Sequence, residues 1–319
     1  STPKPSSAAS DVYKRQQLEV ENLNEINREF SRLNEHILSA NINYQHDFAF
    51  GDFTPTLKMG GYTEYRTREY NTRLFIYSWK NGLPSNYRVM NVPDELMQDK
   101  NYGEDKLYLL EQVDWRNNYE GNNMLGAGYA GVNLPFGKWN IYAGVRFEHS
   151  RMELISNTQK NEKSPTSVYY TYDDFFPSLN AAYRLNEQHQ FRLSYGRTVN
   201  RPEFREVSSS VYYDFDLASN VQGNYDLKAA YIDNIDLGYE YYPSNGELIS
   251  VSLFYKKFKN PIEWTYTVAG GTDLIYSYIN AKGADNYGVE VDIRKNLDFI
   301  GMKNFSPVSY THLRAHETD

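Results

Sequence analysis

Residues 139–149, WNIYAGVRFEH, decide how the rest of the chain is read. Trp139, Ile141, Ala143, Val145 and Phe147 alternate with Asn140, Tyr142, Gly144, Arg146 and Glu148. A period of two puts one set on each face of a β-strand, apolar on one side and polar or small on the other. The stretch is about ten residues long, and a strand tilted across a hydrocarbon layer needs roughly 9–11. Beyond it the apolar face turns polar, with His149 and Arg151.

The same period recurs on both sides. Leu38, Ala40, Ile42 and Tyr44 alternate with Ser39, Asn41, Asn43 and Gln45. Further along, Ile235, Leu237, Tyr239 and Tyr241 alternate with Asp236, Gly238 and Glu240, and Tyr287, Val289, Val291 and Ile293 with Gly288, Glu290, Asp292 and Arg294. About nine strands are predicted, at 36–46, 55–79, 121–135, 138–155, 170–186, 189–199, 229–242, 247–268 and 275–296. Alternation alone does not separate a soluble sandwich from a membrane barrel. The connections do. Short links at 47–54, 136–137, 187–188 and 243–246 alternate with longer ones at 80–120, 156–169, 200–228 and 269–274. Short turns at one end and long loops at the other are the pattern of outer-membrane barrels. The short links carry turn chemistry, as in Pro135-Phe136-Gly137 and Pro243-Ser244-Asn245-Gly246. Aromatics flank them: Phe48, Phe50 and Phe53, then Phe136 and Trp139, then Tyr241 and Tyr242, with Phe299 and Phe305 after the last strand. A girdle at one membrane interface places rings in this way. The fold class read from the sequence is therefore all-β: a partial antiparallel up-and-down transmembrane β-barrel.

Composition agrees. No apolar run reaches the roughly 20 residues of a membrane-spanning helix, and the mean hydropathy of −0.71 suits strands that are wet on one side. The 30 tyrosines favour strands and interfaces. A net charge of −8 and no basic stretch argue against nucleic acid as a partner. With no cysteine there is neither a disulfide framework nor thiolate chemistry. HExxH and GxSxG are absent and the histidines are scattered, so the reading is not an enzyme and no cofactor or metal is expected. The chain opens on Ser1 with no export segment, which for a membrane protein reads as a fragment. Residues 1–16 (STPKPSSAASDVYKRQ) and 307–319 (PVSYTHLRAHETD) match neither the composition nor the period of the rest. They look like translated sequencing-adapter strings and are set outside the barrel, which is assigned to residues 17–306. Within 18–35, Leu23, Ile26, Phe30 and Leu33, continued by Ile37, are spaced by three and four, which predicts a short amphipathic helix before the first strand.

The stretch Ser194–Glu263 contains SYGRTVNRPEFRE, then YYDFD, then GNYDLKAAYIDNIDLGYEYYPSNGELISVSLFYKKFKNPIE. It resembles the barrel of TonB-dependent receptors of the Bacteroidetes type. FGKWNIYAGVRFEH and FFPSLNAAYRL upstream, and NYGVEVDIRKNL downstream, resemble the same family in the same order, so the likeness covers roughly residues 30–305. The resemblance implies a larger barrel of twenty-two strands in the outer membrane, in contact with its lipid. It also implies an N-terminal plug inside the barrel and energy delivered through TonB. Such receptors take up metal chelates, vitamins or glycans. Plug, TonB-binding segment and terminal strand are not recognised here, so the chain is expected to be a barrel piece that does not transport alone. A surface lipoprotein is a candidate partner, and its gene beside this one would point to glycans. A passive porin and a soluble Tyr-rich glycan-binding β-protein are the competing readings.

Several residues stand out as candidates. Arg146, Glu148, Glu240, Glu290, Asp292 and Arg294 share the face expected to line the lumen, where they can pair with each other or with a plug. Arg201, Glu203, Phe204 and Arg205 follow a strand that Pro202 ends, and either hold the loop or touch substrate. Asp214 and Asp216, like Asp173 and Asp174, read as solvated loop carboxylates without calcium-loop spacing. Gly126 to Gly131 fits G-x-G-x-x-G, but lies inside a strand and not before a helix. Small residues at a bend are the better reading there.

Overall fold

Alternating segments become strands when their backbone groups find partners, and here the partners are neighbours in sequence. The computed structural model describes residues 18–19, 27–82, 89–90, 96–214, 216–270, 273–296 and 307–318. In chain order the strands are β1 (Leu18–Glu19), β2 (Asn27–Asp47), β3 (Thr56–Trp79), β4 (Val89–Met90), β5 (Leu107–Gln112), β6 (Tyr119–Phe136), β7 (Trp139–Asn157), β8 (Pro165–Arg184) and β9 (His189–Asn200). After a short helix α1 (Phe204–Val207) come β10 (Val211–Asp214), β11 (Ser219–Gln222), β12 (Ala230–Tyr241), β13 (Leu248–Lys259), β14 (Ile262–Gly270), β15 (Asp273–Asn280), β16 (Gly283–Arg294) and β17 (Val308–Thr318).

One sheet dominates. It runs β2-β3-β6-β7-β8-β9-β12-β13-β16-β17 as an antiparallel meander, with β5 added on the far end of β3. No ladder joins β2 to β17 among the described residues, so the sheet is open, as in a partial barrel. A smaller sheet, β10-β11-β15-β14, is built from the long connections and contains one parallel pair, β11 with β15. β1 and β4 form a two-residue ladder of their own.

Four expectations change. The helical stripe does not make a helix: β2 already begins at Asn27, and every residue from Asn27 to Asp47 has a partner in β3. Phe30, Leu33 and Ile37 fall on both faces of that strand, because ladder hydrogen bonds outweigh a weak local preference. Leu23 and Ile26 lie outside the described residues, as do residues 1–16, Phe299 and Phe305. The segments 247–268 and 275–296 are each two strands. Asn260 takes a left-handed φ of 54° and Pro261 has no N–H to give the ladder, so β13 ends there. The chain turns away as the β14–β15 hairpin. Asn280 pins the turn, its amide donating to the carbonyls of Asn260 at 2.8 Å and Lys228 at 2.9 Å. The link expected at 156–169 shrinks to 158–164, since β7 and β8 stay paired out to Asn157 and Pro165. Finally, the segment 307–319, set apart on composition, supplies β17, paired with β16 from Arg294–Val308 to Ala284–Thr318. An unpaired strand edge recruits any extended segment that can bond to it.

Register carries each face across the whole sheet. Ile42, Gly61, Gly128, Phe147 and Phe175 stand in one row across β2, β3, β6, β7 and β8. Leu193, Leu237, Leu253 and Val289 stand in another across β9, β12, β13 and β16. This apolar face is bare: Leu38 is 75% exposed, Ile42 74% and Phe175 63%. A face of that extent is not sustained against water in a soluble monomer. The opposite face is polar near the short turns. Near the long connections it is covered, and there lies the buried cluster of Tyr70, Tyr119, Met152, Leu154, Phe204, Val207, Val221, Leu227 and Tyr278.

A Val at position 260 cannot take the left-handed backbone cheaply, at about 1–2 kcal/mol per residue. Asn260→Val is expected to lower hydrogen-exchange protection in β14 and β15 and to leave β6–β9 unchanged; equal loss in both regions would contradict this account of the turn.

Candidate functional site

The covered end of the polar face is the candidate site, and it begins with a like-charge problem. Glu148 on β7 and Asp174 on β8 are direct cross-strand partners. Their side chains are only 11% and 9% exposed. Two carboxylates so placed repel each other unless a cation bridges them. Arg201, the first residue past β9, does so. One guanidinium nitrogen donates to Glu148 at 2.8 Å and another to Asp174 at 2.8 Å. Arg146 donates to the second Glu148 oxygen at 2.6 Å, and the Tyr231 hydroxyl to the second Asp174 oxygen at 2.6 Å. The Arg201 head also lies 5.8 Å from the Tyr172 ring and 5.9 Å from the Phe176 ring.

Pro202 then turns the chain inward, and α1 lies on the polar face of the sheet. Phe204 is fully buried in a slot over β6. A Cβ on Gly121 would stand 2.4 Å from the Phe204 ring, so only glycine leaves the slot open. Arg66 and Arg68 sit 5.4 and 5.5 Å from the same ring, and Glu35 on β2 holds both guanidiniums. Arg66 also reaches Glu203 at 3.1 Å. Arg205 lies 3.7 Å from the ring of Tyr212 on β10. The chain returns close against α1, with Asn224 N–H bonded to the Glu206 carbonyl at 2.6 Å. The connection after β9 (201–214 and 216–229) is thus folded onto the polar face and covers it at this end.

Of the sequence candidates, Arg146, Glu148, Arg201, Glu203, Phe204 and Arg205 all belong to this assembly. Glu240, Glu290, Asp292 and Arg294 lie on the same face of the sheet, nearer the short turns. Glu240 binds Arg192 at 3.0 Å, and Ser250 and Ser252 separate its strand from Asp292 and Glu290. Asp214 and Asp216 shape their own turn, the Asp214 carboxylate accepting the N–H of Asp216 at 2.9 Å and of Leu217 at 3.0 Å. The reading of Asp173 and Asp174 as solvated loop acids is corrected: both lie in β8. Asp174 is a buried partner of Arg201, while Asp173 faces the apolar side beside His149 at 2.7 Å. Glu35, Arg66, Arg68, Gly121 and Tyr231 were not singled out from sequence, and Asp174 was given the wrong role. For Asp174 the signal was present, since it keeps phase with Tyr172 and Phe176.

Burial raises the Glu206 carboxyl above the ordinary glutamate value, although it accepts the Glu203 N–H at 2.9 Å. Chemically the assembly is a clasp. Ion pairs neutralise Arg66, Arg68, Arg146 and Arg201, and no group of three or more His, Asp or Glu among the described residues could hold a metal ion. Towards the short turns a polar groove of about 980 Å³ opens on the same face, lined by Asn140, Tyr142, Arg192, Asp236 and Glu240 among others.

An open meander with one bare apolar face, one polar face and a long connection folded over the latter defines a partial membrane-type barrel. The profile of the family described as TonB dependent receptor-like, beta-barrel, matches residues 5–319, and the chain belongs to that family. No curated protein matches it. Among solved structures it is similar to the unliganded ferric citrate transporter FecA, at 15% identity and TM-score 0.61, covering 92% of this chain and 37% of that one. It is also similar to the siderophore receptor PiuA from Acinetobacter baumannii, at 9% identity and TM-score 0.59, covering 90% and 39%. The ferric-catecholate import receptor Fiu from K12 E. coli gives 16% identity and TM-score 0.52, covering 88% and 38%. The chain therefore spans less than two-fifths of these structures, and at such identities the likeness concerns the fold.

Two outcomes follow from the clasp. Arg201→Ala leaves two facing buried carboxylates, which costs roughly 3–5 kcal/mol; limited proteolysis within 201–229 is expected to accelerate strongly, and Arg201→Lys to restore it only in part. Glu206, with its folded value raised, stabilises the docked connection below the ordinary value of 4.5, and that stabilisation is lost as pH climbs through the raised value. Glu206→Gln should match wild type in proteolytic half-life near that lower pH and outlast it increasingly toward neutrality; a constant difference across pH would refute the assignment.

Proposed function

We propose that this chain is part of the wall of an outer-membrane TonB-dependent uptake receptor, about ten strands of a larger barrel. The bare apolar face meets outer-membrane lipid. The polar face lines the lumen, short turns lie on the periplasmic side, and long connections lie outside. One observation carries the reading: the register keeps the apolar face continuous over nine strands, β2 to β16, while the polar face receives its own long connection at one end only. A soluble sandwich has no reason to leave that face bare.

The open polar groove near the short turns is the surface a plug domain would cover, and TonB would act through that plug. The role is transport and not catalysis. A metal chelate, a vitamin and a glycan are the substrate classes in view. Two of the similar structures are named for ferric citrate and ferric catecholate, so ferric chelates are the first to test. A surface lipoprotein remains a candidate partner. The open sheet leaves two strand edges whose backbone groups cannot be satisfied in lipid, so these ten strands alone should not form a conducting barrel.

The test is uptake by cells carrying the complete gene around this chain. Radiolabelled ferric chelates, cobalamin and oligosaccharides are supplied in turn, with the proton gradient intact or collapsed. Energy-dependent accumulation of one class, lost without TonB, is expected. Passage that ignores both would mark a passive porin, and a product that partitions into water without detergent would mark a soluble protein.

A further inference from the structure

Two separate connections meet over the polar face. One, after β9, carries Arg201 and Phe204, then α1, β10 and β11. The other, after β13, is the β14–β15 hairpin. Each leaves and rejoins the large sheet at its own two ends, yet the two are bonded to each other. β11 lies parallel to β15, with Asn220 opposite Ile275 and Val221 opposite Tyr276. The Asn224 amide donates to the Tyr278 carbonyl at 2.9 Å. At the hairpin base the Asn280 side chain accepts the Lys228 N–H at 2.8 Å and donates to the Lys228 carbonyl at 2.9 Å.

Packing follows the same path. Val207, Val221 and Leu227 of the first connection are buried in one cluster with Tyr278 of the second, and Ile262 and Tyr276 pack against it. Within the first connection, backbone lies directly on backbone. A Cβ on Gly223 would stand 2.3 Å from the Ser208 carbonyl and 2.8 Å from those of Arg205 and Glu206. A displacement of α1 therefore carries β11, and β11 carries β15.

The hairpin is attached to the large sheet by two short links, Asn260-Pro261 leading in and Ala281-Lys282 leading out. The Ala281 N–H donates to the Pro261 carbonyl at 2.9 Å, so the links lie side by side. Short adjoining links that carry a rigid element are the geometry of a hinge. The opposite side of the assembly is held to the sheet by Arg201 on Glu148 and Asp174, and by Phe204 over Gly121.

We infer that α1, β10, β11, β14 and β15 form a single lid over the polar face, hinged at Asn260-Pro261 and Ala281-Lys282 and latched at Arg201 and Phe204, so that the latch opens only when the hairpin moves with it. The lid role rests on the reading of that face as a lumen; the coupling between the two connections stands on their own contacts. Coupling is reciprocal, so a change confined to the hairpin base must loosen the latch.

Ser150 on β7 lies beneath the latch, 2% exposed, beside a small cavity that Arg201, Pro202 and Phe204 also line. The chain has no cysteine, so Ser150→Cys places one thiol in it, under the lid. The complete protein carrying this change is purified in detergent and treated with a water-soluble maleimide, and labelling of the peptide around position 150 is timed by mass spectrometry. Labelling should be slow in this parent. Phe204→Ala should speed it at least ten-fold. Asn260→Val, which alters only the hairpin base, should speed it at least five-fold, and Asn186→Ala, in a short turn, should leave it unchanged. Labelling of the Asn260→Val protein at the parent rate overturns the inference, because the connections then open separately; this arm decides the matter even where Phe204→Ala does not fold. Release of the complete protein into water without detergent is a different result, and overturns the membrane reading instead.

Discussion

The structure depends on one requirement: a strand facing an apolar surroundings must bond every backbone N–H and C=O to a neighbouring strand. That requirement turns Asn27–Asp47 into a strand against its local spacing, because β3 offers a partner for each residue. It also keeps β7 and β8 paired to Asn157 and Pro165, and gives β16 a neighbour in 308–318. Where a residue cannot supply its share, the ladder stops, as at Asn260 and Pro261.

With the backbone satisfied within the sheet, side chains sort by face. The apolar set needs no partners inside the chain. The polar set does, and near the long connections it finds them in residues 201–229. Glu148 and Asp174 face each other because the register says so, and Arg201 resolves their repulsion by leaving the sheet at the one point where its guanidinium reaches both. Phe204 then fills a slot that exists because position 121 has no side chain. Anchoring of the long connection is thus a consequence of sheet register and not of any property of the loop alone. The chain's membership of the TonB-dependent receptor barrel family fits an open antiparallel meander of this kind.

The alternation made most of this legible. Nine of the ten meander strands could be placed from period and turn chemistry, and Trp139–Phe147 already separated the two faces. The misses share a cause. Asp174 was read as a loop acid although the predicted strand 170–186 already contained it, because a carboxylate pair looks solvated until its cross-strand partner and Arg201 are known. Glu35 was lost inside a supposed helix. Arg66 and Arg68 alternate correctly, but nothing local says that the aromatic ring of Phe204 will lie beside both. Charges on a lumen face look alike in sequence, and only some end up under a loop.

What the sequence determined by itself is periodic: strand identity, the two faces, and the alternation of short and long links. These follow from chain geometry, because side chains in a strand change sides at every residue whatever the neighbours are. What only the tertiary structure decided is contact across distance: Arg201 with Glu148 and Asp174, Phe204 with Gly121, and β11 with β15. These depend on which residue of one strand stands opposite which residue of the next, and on where a loop lands. A shift of one position in register would leave every local signal unchanged and dissolve all three.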